Sequence, residues 1–218
     1  MIKQFDIYYK DGDSNDIEFM HETRYVSSLY EQLFDAKRIN VKAWKINVHV
    51  LANELSRRVI DSSGVIDVEI PGDIALYRSS NEIQKAEIAL AFLMKGLRRV
   101  SEEMGWDFAP FEDAKERVIA AKFVNKKLWK RPIANEAKTM TAEVMVDHRM
   151  DRAIILIIVR DLKSKELVSE TPVMDDLPSE FAYAAHIGEL RWKDNSTIEL
   201  CSRFDPQKKI QLRVSKTN

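Results

Sequence analysis

Four histidines, one cysteine and a few adjacent carboxylates are the side chains from which a chemical site would be built. The histidines are His21, His49, His148 and His186. No two stand at the HxH or HxxxH spacing with which a strand or a helix presents paired metal ligands. His49 falls on the polar side of an alternating segment, where solvent or a cross-strand neighbour is its ordinary environment. The sharpest constellation is Asp147-His148-Arg149-Met150-Asp151, an imidazole between carboxylates. Such a pair can act as a general base, with Glu143 on the adjoining strand as a further carboxylate. Asp and His are also ordinary turn residues, and no nucleophile is placed beside them. His186, within Ala184-Ala185-His186-Ile187-Gly188, reads as structural.

Cys201 alternates with Ile198 and Leu200, on an exposed face or on the second buried face of a central strand. No basic neighbour or helix start is present to lower its pKa, so an inert thiol is expected. Glu102-Glu103 and Glu112-Asp113 are adjacent on helices, where neighbours point about 100° apart and do not converge. With six glycines in the chain, glycine-rich phosphate loops have little material. No catalytic, cofactor or metal set is therefore assigned. The one basic stretch is Lys126-Lys127-Leu128-Trp129-Lys130-Arg131-Pro132. Lys126, Lys127, Trp129, Lys130 and Arg131 are the candidate partner-binding residues, since cations around a partly exposed tryptophan suit an acidic protein surface or a phosphate.

The elements that would position these residues follow from hydrophobic period. Ile2 to Lys10 reads as a strand, Asp11 to Asp16 as a turn and Glu22 to Lys37 as a helix. Trp44, Ile46, Val48 and Val50 alternate with polar residues, as do Ile66, Val68 and Ile70 before Pro71-Gly72. Residues 55–60 are expected to pair across Ser62-Ser63-Gly64 as a hairpin. Glu82 to Met104 carries the strongest helical period, capped by Ser80 or Asn81 and ended by Gly105. Pro110 opens a second helix with Phe111, Ala114, Val118 and Phe123 on its apolar side. From Lys138 onward the pattern is strand and turn, including an apolar run at 153–159 and a hairpin around Asp194-Asn195-Ser196.

These elements predict an α+β fold: an N-terminal strand-helix-strand region, a central helical hairpin, and a C-terminal antiparallel meander or half-sandwich. The expected division is residues 1–132 and 133–218, with 125–132 as a solvated linker, or one continuous domain. Hydrophobic residues make up 45% of the 218, enough for a sizeable core. The 34 basic and 35 acidic side chains nearly cancel, leaving no long-range field to draw in nucleic acid or a membrane. A single cysteine and a polar amino terminus point to a soluble, cytoplasmic protein.

The expected function is binding of another protein, as an inhibitor or neutraliser. In general character the chain resembles bacterial immunity proteins and antitoxins: compact, mixed α/β, free of disulfides and of catalytic motifs. The alternatives are a hydrolase centred on Asp147, His148 and Asp151, and a nucleic-acid-associated factor using residues 126–131. Neither a cofactor nor a metal is expected.

Overall fold

The computed structural model describes residues 1–11, 14–51 and 59–214. Its chain forms two compact units, Met1–Asn125 and Lys126–Asn218. Among the described residues no helix is long and apolar enough to cross a membrane.

The first unit is a sheet covered on one face by helices. Its strands are β1 (Gln4–Asp11), β2 (Ser14–Asn15), β3 (Lys45–Leu51), β4 (Ile60–Ser62) and β5 (Val65–Pro71), in the order β2-β1-β3-β5-β4. β1, β3 and β5 are parallel, and the two short edge strands run against their neighbours. Period-two alternation sends Phe5 and Ile7, Ile46, Val48 and Val50, and Ile66, Val68 and Ile70 to one face, where all are buried. α1 (Ile17–Leu33) and α3 (Glu82–Met104) close that face, with Val26, Leu93 and Leu97 fully buried. Only β4 of the expected 55–60 hairpin is described; it pairs with β5 across Ser63-Gly64, and 55–58 lie outside the described residues.

α1 begins five residues before the start expected at Glu22, because Asp16 caps it by accepting from Phe19 N at 3.0 Å. α2 (Ile74–Ser79) is capped by Asp73 in the same way. α3 carries a full capping box from Asn81 and Gln84 and ends at Gly105, whose φ is 68°. α4 (Ala109–Ala120) starts with Pro110 in its first turn and returns along α3. Trp44 was expected with the inward set of β3, but it precedes the strand and is 45% exposed. Its indole lies over Gly64, where a Cβ would stand 3.0 Å from the ring.

The second unit has two antiparallel sheets. β6 (Lys126–Ala134), β7 (Met140–His148), β8 (Ala153–Asp161) and β9 (Leu167–Asp176) form one meander. α5 (Glu180–Tyr183) and a 3-10 turn (Ala184–His186) lead into the other, β10 (Leu190–Trp192), β11 (Thr197–Cys201) and β12 (Lys209–Arg213). Both sheets contribute to one core: Val144 and Val146 of β7, Ile155 and Ile157 of β8, Ile198 and Leu200 of β11, with Tyr183 and Ile187 from the connection. Leu156 and Ile158, which point the other way from β8, are also buried. That explains why 153–159 is apolar without alternation.

Buried Asn135 fastens the β6–β7 turn. Its Oδ1 accepts from Thr139 N and Met140 N at 2.9 and 3.1 Å, and its Nδ2 donates to the Asn195 carbonyl at 3.1 Å. Asp194 organises the facing turn by accepting from Ser196 N and Thr197 N, which with the Ser196 hydroxyl holds its carboxyl down at about 2.

Helix α3 approaches β3 at Gly96, where a Cβ would lie 2.5 Å from Val48 Cγ2. On an open helix face, Gly→Ala would stabilise by about 1 kcal/mol. Here overpacking reverses the sign, and Gly96→Ala is expected to lower unfolding stability by about 1–2 kcal/mol in a denaturant titration.

Candidate functional site

The basic stretch is a strand and not a linker: β6 is the edge of its sheet. Its register with β7 shifts between Leu128 and Lys130 and again between Lys130 and Ile133. Lysines, a proline and bulges are what keep an exposed edge from pairing with another chain, so the composition at 126–132 has a structural cause. Lys126 and Arg131 are exposed, Lys127 and Lys130 half-buried. Lys126 pairs with Glu170 of β9 at 3.1 Å. Trp129 is half-buried against the core, edge-on to Tyr183 with ring centres 5.2 Å apart, and the Lys127 ammonium lies 5.6 Å from the centre of the Trp129 ring. The tryptophan thus supports the fold from beneath. The cations around it line the edge.

Asp147, His148 and Asp151 do not converge. His148 was expected in a turn, but it ends β7 and is 2% exposed, on the inner face. Its Nε2 donates to the Pro178 carbonyl at 3.0 Å, and its ring meets Tyr183 edge-on. Asp147 points to the opposite face and is held by Arg149, while Asp151 is exposed beside Arg152. Glu143 shares the outer face with Asp147, within 3.7 Å of Arg160. His186 Nε2 donates to Asp176 Oδ2 at 2.8 Å, consistent with its structural reading. Among the described residues no group of three His, Cys, Asp or Glu side chains is arranged to hold a metal ion.

Cys201 is buried, on the second buried face of β11, the middle strand of its sheet. The same face buries Glu199, which sequence reasoning did not single out. Its carboxylate accepts from Arg191 of β10 at 2.8 Å and from Gln211 of β12 at 2.7 Å, and Lys209 Nζ lies 3.0 Å away. Lys209, Arg191 and Gln211 hold its pKa down at about 2. One carboxylate thereby ties three strands together.

In the first unit, the sheet face away from the helices is polar and half-buried. Asp6 meets Lys45 Nζ at 2.7 Å and accepts from Gln4 at 2.8 Å and Tyr8 at 3.2 Å. Burial and the Asp6 charge push the Tyr8 phenol up. Burial works against the Lys45 ammonium, but Asp6 outweighs it and holds that group above its ordinary value. His49 Nε2 donates to Asp67 Oδ1 at 2.7 Å, Asn47 donates to the same oxygen at 3.0 Å, and the His49 ring stacks on Tyr8. Asp6 and Asp67 are thus each answered by a neighbour on the adjacent strand, the environment expected for His49.

The feature that stands out is in the second unit. Phe181, on α5, is 94% exposed, and Phe204, after β11, is 76% exposed. Leu177 is also exposed. The two loops that carry the phenylalanines are fastened together: Gly188 N donates to Cys201 O at 2.8 Å, Arg203 N to Ala185 O at 2.9 Å, and Ser202 Oγ to Ala185 O at 3.0 Å. Below α5, Tyr183 is buried between Trp129 and His148. His148 holds the Pro178 carbonyl ahead of Phe181, and the His186–Asp176 bond ties the chain after Phe181 to the chain before it. The Arg203 guanidinium lies 5.6 Å from the Phe204 ring centre. A sequence signal existed, since Phe181 and Phe204 fall outside every periodic segment. An unpatterned phenylalanine says nothing of exposure until its loop is placed.

No protein-family model, curated protein or solved structure matches the chain.

A carboxylate with a depressed pKa stabilises the fold at pH values above its ordinary 4.5, and the contribution fades as pH falls towards about 2. Glu199→Gln should therefore be less stable than the parent at pH 7, with the two unfolding midpoints converging between pH 4.5 and 2. A constant gap across that interval would contradict the assignment.

Proposed function

We propose that the chain acts by binding another protein, and that the partner seats on Phe181 and Phe204. The observation that carries this reading is the exposure of two phenylalanines, one on α5 and one on the loop after β11, in segments joined by backbone hydrogen bonds. Leaving a phenylalanine in water forgoes about 1.5–3 kcal/mol of burial. Two of them on preorganised loops, with an arginine beside one, have the make-up of an interface centre. Preorganisation matters because ordering a loop on binding consumes affinity.

The finer form of the proposal is neutralisation: the bound partner, such as a bacterial toxin, is held inactive in the cytoplasm. It rests on the general character of the chain, and binding is the step the surface supports. Lys126, Lys127, Lys130 and Arg131 remain a second candidate surface, suited to an acidic protein, because Lys126 and Arg131 are exposed. The hydrolase reading draws no support from side chains that point to opposite faces.

The test is capture from an extract of the native host, with bound proteins identified by mass spectrometry. The Phe181→Ala/Phe204→Ala double variant should lose at least about tenfold of the specific partner, as truncation of interface anchors does. Its thermal midpoint should stay within about 2 °C of the parent, because exposed side chains contribute little to folding. The partner's own activity should fall on addition of the parent chain and not of the variant. Equal capture by both proteins would refute the surface, and failure of the parent to capture any protein would refute the function.

A further inference from the structure

The helical hairpin of the first unit carries an apolar groove of about 520 Å³ between α3 and α4. Leu90, Ala91, Met94, Phe108, Ile119 and Phe123 line it. Ile119 is 45% exposed, and Ala91 is exposed on the α3 bank. Phe123 reaches the groove because Lys122 and Phe123 both take the left-handed conformation after α4, with φ of 51° and 57°.

We propose that this groove receives an amphipathic helix with acidic flanks, supplied by a protein partner. Length argues for a helix. Glu87 to Arg98 spans eleven steps of α3, about 16 Å at 1.5 Å per residue, or roughly three turns. Three turns present apolar side chains at i, i+3 or i+4, and i+7, which is how a helix reads a groove of this kind. Charge argues for acidic flanks. Three cations, Lys95, Arg98 and Lys115, border the groove against two carboxylates, Glu87 and Glu112. Glu112 is taken up by Arg98 at 3.0 Å, and that guanidinium also covers the Phe108 ring at 4.2 Å, closing one end. That leaves Lys95 on the α3 bank and Lys115 on the α4 bank against one lining carboxylate, Glu87, about two turns along α3 from Lys95. Lys95 Nζ donates to the Pro71 carbonyl at 3.0 Å, and Lys115 lies 3.3 Å from the adjacent Glu116. Both ammonium groups keep donors for an incoming carboxylate.

This inference rests on the reading that the chain binds protein, but it concerns a different surface. The probe is a pair of lactam-bridged helical peptides of about 14 residues, fluorescently labelled, sharing leucines at the i, i+3/i+4, i+7 positions. One carries glutamates on the flanks and the other lysines. Fluorescence anisotropy against the full chain should show the glutamate peptide binding at least tenfold more tightly. The Lys95→Glu/Lys115→Glu variant should reverse that preference. Ala91→Trp, which fills the groove from an exposed position, should abolish binding of either peptide. Equal affinity for the two peptides, binding of neither, or binding that survives Ala91→Trp would overturn the proposal. Each of those failures leaves capture through Phe181 and Phe204 intact, so the two readings fall separately.

Discussion

The second unit depends on the backbone meeting of residues 185–189 with 201–203. There Gly188 N donates to Cys201 O, Cys201 N donates to Glu189 O, and Arg203 N donates to Ala185 O. The approach is close enough that a Cβ on Gly188 would stand 2.6 Å from Ser202 O and 2.7 Å from Cys201 O. Both obstacles are backbone, so no rotamer change relieves them. A glycine is required, and with it the loop after α5 lies flat on the end of β11. That contact joins the segment after Phe181 to the segment before Phe204.

Residues with the look of chemistry turn out to serve this loop. His148 holds the Pro178 carbonyl, His186 holds Asp176, and Trp129 packs against Tyr183 beneath α5. The two histidines spend their ring N–H groups on fastening, and the tryptophan spends its ring on packing. Glu199 does the same work among β10, β11 and β12. The polar layer of the first unit is likewise closed on itself for the most part. Among the described residues, His49 Nδ1 and Asn47 Oδ1 are the atoms of that layer left buried without a hydrogen-bond partner.

Much of the fold was legible in period alone. The long helix α3, its Asn81 cap and Gly105 stop, the Pro110 start of α4, and the strands flanking Asp194-Asn195-Ser196 all stand where spacing put them. Such features are local, and local chemistry is what one sequence records. The parallel pairing of β1, β3 and β5 was not legible, because parallel partners are not joined by a tight turn that would mark them in the sequence. The edge position of β6 was missed because lysines and a proline that guard an edge have the composition of a linker. His148 was misread because charged residues flank it at 147, 149 and 151, whereas its own ring turns inward at the end of β7. The exposed phenylalanines were least legible. Exposure of an apolar residue is a property of tertiary placement, and the contacts that hold Phe181 out join residues far apart in sequence, as Ala185 is joined to Arg203.

Hydrogen exchange read by mass spectrometry, with and without the captured partner, tests the central claim most directly. The account predicts that partner binding slows exchange in residues 177–188 and 202–206, where the two phenylalanine-bearing loops meet. Protection confined to other segments, with these loops exchanging as in the free chain, would contradict it.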